Sequence, residues 1–131
     1  MQEEKKWSLQ IGGRELIITT GLLAQQAGGA VTVQYGDTVI LATATMSKGA
    51  SRITGYFPLM VDFEERYYAA GKIKGSRFIK REGRPSDASI LAGRAVDRTI
   101  RPLFDSRMRN EVQVVLTTLS YDGENNSDIV A

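Results

Sequence analysis

From Ser86 onward the hydrophobic period of this chain changes from two to between three and four, and that switch constrains the fold more than any other feature. Before it, apolar residues come in short β-forming runs broken by glycine. After it, Ala88, Leu91/Ala92, Ala95/Val96, Ile100 and Leu103 fall at spacings of three and four, which predicts one apolar stripe on a long helix. Pro85 restricts the backbone just ahead, Ser86 is an expected N-cap, and Asp87 suits the positive end of the helix dipole.

The strands are read from alternation and turn chemistry. Trp7–Ile11 and Arg14–Thr19 are expected to pair across Gly12-Gly13, and Ala30–Gln34 with Thr38–Thr45 across Tyr35-Gly36-Asp37, with Gly36 at positive φ. Phe57–Phe63 and Val112–Leu119 read as two further strands. Tyr67 to Arg84 has glycines and cations with no sustained period and reads as a long functional loop. At the end, Asn125-Asn126-Ser127-Asp128 resembles a capped helix start with only Ile129, Val130 and Ala131 after it. One turn is not stable alone, so the chain reads as a fragment of something longer. A β-rich N-terminal half, a long helix, a further strand and a truncated helix define a single α+β domain over residues 1–131.

Composition removes whole classes of chemistry. The chain has no cysteine and no histidine, which excludes thiol catalysis, disulfide scaffolds, Cys/His zinc sites and a Ser-His-Asp triad within these residues. The N-terminal MQEEKKWSLQIGG lacks the apolar core of a signal peptide, and no apolar run approaches the ~18 residues of a membrane span. The expectation is a soluble protein of the cytoplasm, without a membrane partner.

Charge is unevenly placed. Arg66 to Arg109 carries 12 Lys+Arg against 4 Asp+Glu, while the remainder carries 5 against 11, so an overall +2 conceals a polarised molecule. Such polarisation points to an anionic partner. Within the basic region, Phe78 offers a flat face for a base, and Lys80, Arg81 and Arg84 offer charge for phosphates, a combination suited to a polyanion. Arg84 lies just before the helix N-terminus, where free N–H groups favour an anion. Arg94, Arg98 and Arg101 recur at i, i+4 and i+7 on a helix face distinct from the stripe. They are candidates for phosphate or subunit contact, against a solvated face paired with Asp97 and Asp87. Asp62, Glu64 and Glu65 read as strand-end charges rather than a magnesium cluster, since a strand points adjacent residues to opposite faces. Tyr67 and Tyr68 are equally compatible with base stacking and with packing beneath the loop.

Several stretches together resemble a known family: Tyr68-Ala-Ala-Gly-Lys-Ile-Lys-Gly-Ser, Phe78-Ile-Lys-Arg-Glu-Gly-Arg-Pro-Ser and Asp97-Arg-Thr-Ile-Arg-Pro-Leu-Phe, supported by PLMVDFEER at 58–66, NEVQVV at 110–115 and SDIVA at 127–131. They are similar, in order and over essentially the whole chain, to the first RNase PH-like core domain of the bacterial polynucleotide phosphorylases. The resemblance implies an RNase PH-like fold and a phosphorolytic 3′→5′ exoribonuclease with a trimeric ring that threads single-stranded RNA. It implies inorganic phosphate as co-substrate and a role in mRNA decay. Catalytic residues and the ligands for magnesium are implied to lie on a second core domain, so none is expected here and the chain alone is expected to be inactive.

The family's Phe-Phe-Arg-Arg loop becomes Phe78-Ile79-Lys80-Arg81, with Arg77 additional. Ile79 cannot stack as a ring would, and Lys80 lacks the planar fork of arginine. Two other readings stay open at this point. One is a non-enzymatic RNA-binding scaffold subunit of a phosphorolytic ring. The other is a self-sufficient RNase PH-type enzyme, which the loop sequence disfavours.

Overall fold

The computed structural model describes residues 3–50, 55–73, 75 and 83–131. Six strands form one mixed sheet: β1 (Lys5–Ile11), β2 (Arg14–Thr20), β3 (Gly29–Tyr35), β4 (Thr38–Ala50), β5 (Leu59–Glu65) and β6 (Asn110–Ser120), in the order β1-β2-β3-β4-β6-β5. All neighbours are antiparallel except β5, which runs parallel to β6. A parallel pair needs a crossover. Here it is supplied by a 3-10 turn (Tyr67–Ala70), the segment up to Ser86 and helix α1 (Asp87–Ile100). A 3-10 turn at Arg101–Leu103 follows, and a short helix α2 (Ser127–Val130) begins beyond β6. The α+β architecture expected from the sequence is what the chain adopts.

Local chemistry sets the turns. Gly12 and Gly13 take φ of 58° and 81°, giving both central residues of the β1–β2 turn positive φ. This is the combination glycine adopts at little steric cost. Gly36 takes φ 61° between the paired residues Tyr35 and Thr38. A Cβ there would sit 2.9 Å from both Asn125 Nδ2 and Asp122 Oδ2, so the position demands glycine twice over. At α1, Ser86 has extended backbone and its Oγ accepts from Ser89 N at 3.1 Å, as a capping serine does.

Several element boundaries differ from the sequence reading. β4 continues past Thr45 to Ala50, with an irregularity between Met46 and Ala50 in its pairing with β6. β5 starts at Leu59 rather than Phe57, whose buried side chain joins the core while its carbonyl serves other donors. The expected long loop opens with an ordered 3-10 turn closed by Gly71 at φ 67°. Asn126 stands at the N-cap of α2 but its side chain makes no capping bond. The local carboxylate is instead Asp122, which accepts from Glu124 N and Asn125 N at 2.9 and 2.8 Å.

The apolar stripe of α1 also needs correction. Its buried positions are Ser89, Ala92 and Gly93, with Val96 and Ile100 packed partly beneath, whereas Ala88, Leu91, Ala95 and Leu103 are exposed. The reason is close approach. A Cβ on Gly93 would meet Val61 O at 3.2 Å, so α1 seats its small residues directly on β5 and turns Leu91 outward. The core, Ile40, Phe57, Phe63, Ala92, Val112, Val114 and Leu116, lies between α1 and strands β4, β6 and β5. Ile40 and Leu116 are almost wholly buried, and truncating residues so placed to alanine costs about 2–5 kcal/mol.

Following the register outward, the same sheet face carries Val33, Ile18 and Leu16, then Trp7 and Leu9 on β1. Trp7 and Leu9 are 53% and 59% exposed, so helical cover thins towards the β1 edge.

Candidate nucleic-acid interface

The sequence places its basic candidates on two elements, and the structure treats them differently. Phe78, Lys80 and Arg81 lie outside the described residues. Arg84 is described and exposed, in the two-residue approach to the N-cap. Arg94 and Arg98, one helical turn apart on α1, are both exposed and share a face with the outward Leu91.

Arg101 is committed elsewhere. Its Nε and Nη2 donate to Asp97 Oδ1 and Oδ2 at 2.6 and 2.7 Å, while Nη1 and Nη2 reach the carbonyls of Phe57 and Leu59 at 3.1 and 3.2 Å. The Asp97 hydrogen bond holds its guanidinium above the ordinary arginine pKa. The planar fork is thereby used to join the end of α1 to the start of β5, so the three arginines do not act as one patch. Asp97 pairs with Arg101, as the solvated-face reading of this helix supposed for one of the two acids.

The acids of β5 are similarly occupied. Asp62 accepts from Gln113 Nε2 at 3.0 Å, Glu64 pairs with Arg66, and Glu65 accepts from Ser127 Oγ at 3.0 Å. Among the described residues no three Asp or Glu side chains gather where a cation would sit. These residues therefore do not fit a magnesium ion. Tyr67 and Tyr68 are about half exposed, in the 3-10 turn that leaves β5.

A cleft of about 470 Å³ opens beside this turn. Its walls come from the end of β5, the 3-10 turn, the approach to α1, the end of β6 and the start of α2. Arg84, Ser86, Ser89, Thr118, Tyr121 and Lys72 all contribute. Sequence reasoning found Arg84 here and treated Ser86 only as a cap; it missed Ser89, Thr118 and Tyr121. Ser89 and the pair Thr118 and Tyr121 come from segments about thirty positions apart, and nothing local in the chain signals that they meet. Among the described residues no helix is long and apolar enough to cross a membrane.

Comparison with known proteins gives this geometry a family. The profile of the RNase PH family, described as the 3′ exoribonuclease family, domain 1, matches residues 12–131. A polyribonucleotide nucleotidyltransferase of Desulforamulus reducens is 58% identical over 94% of this chain, and one of Bacillus cereus is 55% identical over 99% of it. The chain spans only 16% and 18% of the length of those two relatives. Among solved structures, a chain of the Archaeoglobus fulgidus exosome with RNA bound to the active site superposes with a TM-score of 0.62 at 19% identity, covering 99% of this chain and 49% of that one. An archaeal exosome core chain gives 0.52, again at 19% identity, over 99% of this chain and 46% of its own. At that identity the structural likeness speaks for the fold. The strand order, the helix that crosses between β5 and β6, and the profile match over nearly every residue lead to one conclusion: this chain belongs to the RNase PH family, the 3′ exoribonuclease family, as its domain 1.

Proposed function

We propose that this chain serves as the first RNase PH-like core domain of a polynucleotide phosphorylase, guiding single-stranded RNA and helping to build a trimeric ring for mRNA decay in the cytoplasm. The observation that carries this is the identity of 55–58% to polyribonucleotide nucleotidyltransferases over almost the whole chain. The exposed cations Arg84, Arg94 and Arg98 support an RNA-facing side.

In such an enzyme inorganic phosphate attacks the 3′-terminal phosphodiester. The bond to the preceding 3′ oxygen breaks, and a nucleoside diphosphate leaves the shortened RNA. That chemistry depends on holding phosphates in place and neutralising their charge, so a domain without histidine or cysteine can contribute. Arg84, Arg94 and Arg98 would hold backbone phosphates, and Phe78 would stack a base. Magnesium and the general acid and base would be supplied by a second core domain.

Two measurements test this. Pure chain incubated with single-stranded RNA, phosphate and magnesium should release no nucleoside diphosphate above background; clear release would favour a self-sufficient enzyme. RNA affinity should fall with salt. Replacing Lys80, Arg81 and Arg84 with alanine should flatten the log–log salt slope by about two, at roughly 0.7 per single-strand contact. Phe78→Ala should lower affinity at unchanged slope, because ~1–3 kcal/mol of stacking is lost without counterion release. Parental affinity and slope in the triple variant would remove the loop from the RNA path.

A further inference from the structure

The sheet ends in two edge strands of opposite character. β5 carries Asp62, Glu64 and Glu65, like charges that resist pairing with a copy of themselves, and α1 lies across it. β1 is different. All seven of its residues, Lys5 to Ile11, are exposed, and it is the last strand on its side of the sheet among the described residues. Trp7, Leu9 and Ile11 alternate with Lys6, Ser8 and Gln10, so one face of the strand is apolar and the other polar.

Backbone geometry decides which groups of β1 face outward. Ile11 and Arg14 flank the two-residue turn Gly12-Gly13, and residues flanking such a turn form a hydrogen-bonded pair. The pair type alternates along the ladder, so Leu9, Trp7 and Lys5 also direct their N–H and C=O groups to β2. The backbone groups of Lys6, Ser8 and Gln10 therefore point away from the sheet, towards its open side.

We propose that β1 pairs antiparallel with β1 of a second copy of this chain, about a two-fold axis at Ser8. Ser8 is the midpoint of Lys5–Ile11, so this register engages the whole strand. It joins outward groups to outward groups, Ser8 with Ser8 and Lys6 with Gln10 of the second copy. A shift by one residue would set outward groups against inward ones and an apolar face against a polar one. Trp7 falls opposite Leu9 on both sides of the axis, at the non-hydrogen-bonded positions where side chains come closest.

Charge agrees with this register. Lys6 of one copy stands opposite Gln10, which pairs with Glu15 on the same face. Glu15 has no ion-pair partner among the described residues, so Lys6 of the second copy reaches towards a free carboxylate. On the other face Lys5 falls opposite Ile11, beside Arg14, whose charge is taken up by Glu124 at 2.7 Å. A two-fold contact does not close a three-membered ring, so the inference goes beyond the trimer proposed above and does not depend on it. One strand pair is a small interface, which makes the dimer a concentration-dependent equilibrium rather than a permanent state.

The experiment is disulfide trapping in the 131-residue chain, which has no cysteine of its own. In a hydrogen-bonded pair the Cα atoms lie about 5.5 Å apart, within disulfide reach, so oxidised Ser8→Cys should accumulate as a covalent dimer. Gln10→Cys should not, since the register sets its two copies roughly 14 Å apart along the strands. Adding Leu9→Lys to Ser8→Cys should abolish trapping. Sedimentation of variants without cysteine supplies the second readout. Lys6→Glu should weaken the dimer about tenfold, because symmetry turns two attractive contacts repulsive, and Glu15→Lys added to it should restore association. Far-ultraviolet circular dichroism should match the parent in every variant, and RNA affinity should stay parental in Ser8→Cys, which keeps failure here distinct from failure of the RNA reading. Equal trapping of Ser8→Cys and Gln10→Cys would mean random collision and overturn the proposal. So would a parent chain that is monomeric at every concentration, which would leave the edge to a different partner.

Discussion

Arg101 grips both carboxylate oxygens of Asp97, one turn back on α1, at 2.6 and 2.7 Å, and the same guanidinium lies 6.0 Å from the ring centroid of Phe57. The pair is partly solvated, and a solvated i,i+4 pair contributes little, about 0.3–0.5 kcal/mol. What distinguishes this one is the second half of the fork, which reaches the carbonyls of Phe57 and Leu59. Asp97 therefore acts mainly as an orienting group, and Arg101 as the tie between α1 and β5.

The tie should be visible as an asymmetry. Asp97→Ala should cost well under 1 kcal/mol, because Arg101 keeps its backbone acceptors. Arg101→Ala should cost about 1–2 kcal/mol, since two carbonyls lose a charged donor and Phe57 loses its cover. Chemical denaturation of both variants measures this; equal losses would mean the carbonyl contacts contribute nothing.

RNA binding should separate the three arginines of α1. Arg94 and Arg98 are exposed, so replacing both with alanine should flatten the salt slope for single-stranded RNA by roughly 1.4. Arg101→Ala should leave the slope unchanged, because its guanidinium is held by the protein itself. A change in slope for Arg101→Ala would place that side chain on the RNA path.

Acid should act through Asp122. The N–H groups of Asn125 and then Glu124 hold its carboxyl well below the usual carboxylate range. A depressed folded-state pKa means a contribution that is complete above the unfolded value near 4 and is lost as pH falls through the folded value. Asp122→Asn should melt lower than the parent at pH 7 and lose less between pH 5 and pH 2. Melting temperatures across that range decide the matter. Parallel curves for the two proteins would show that another group carries the acid response.

Self-association should involve the β1 edge. Trp7 and Leu9 present apolar surface beside Ile18 and Leu16, on the strand that ends the sheet among the described residues. Sedimentation of the chain should show concentration-dependent association, reduced in Leu9→Lys, as edge charges discourage strand pairing. A compact monomer at all concentrations would contradict this.

What the sequence determined by itself was whatever a few neighbouring residues decide. Gly12-Gly13 and Gly36 announced their turns because positive φ is a local steric matter. Ser86 announced its helix because a cap needs only the next turn. The RNase PH resemblance was legible because motifs such as GRPS and DRTIRPLF are contiguous. Only the tertiary structure decided which side of α1 faces inward, since that follows from Gly93 meeting Val61 across the helix–sheet contact. It alone withdrew Arg101 from the candidate cations, by bringing the Phe57 and Leu59 carbonyls within reach from more than forty residues away. It alone placed Thr118 opposite Ser86 and Ser89 around one cleft. Periodicity reports that a side chain prefers to be covered, but the partner that covers it is set by long-range packing, and a linear pattern carries no record of that.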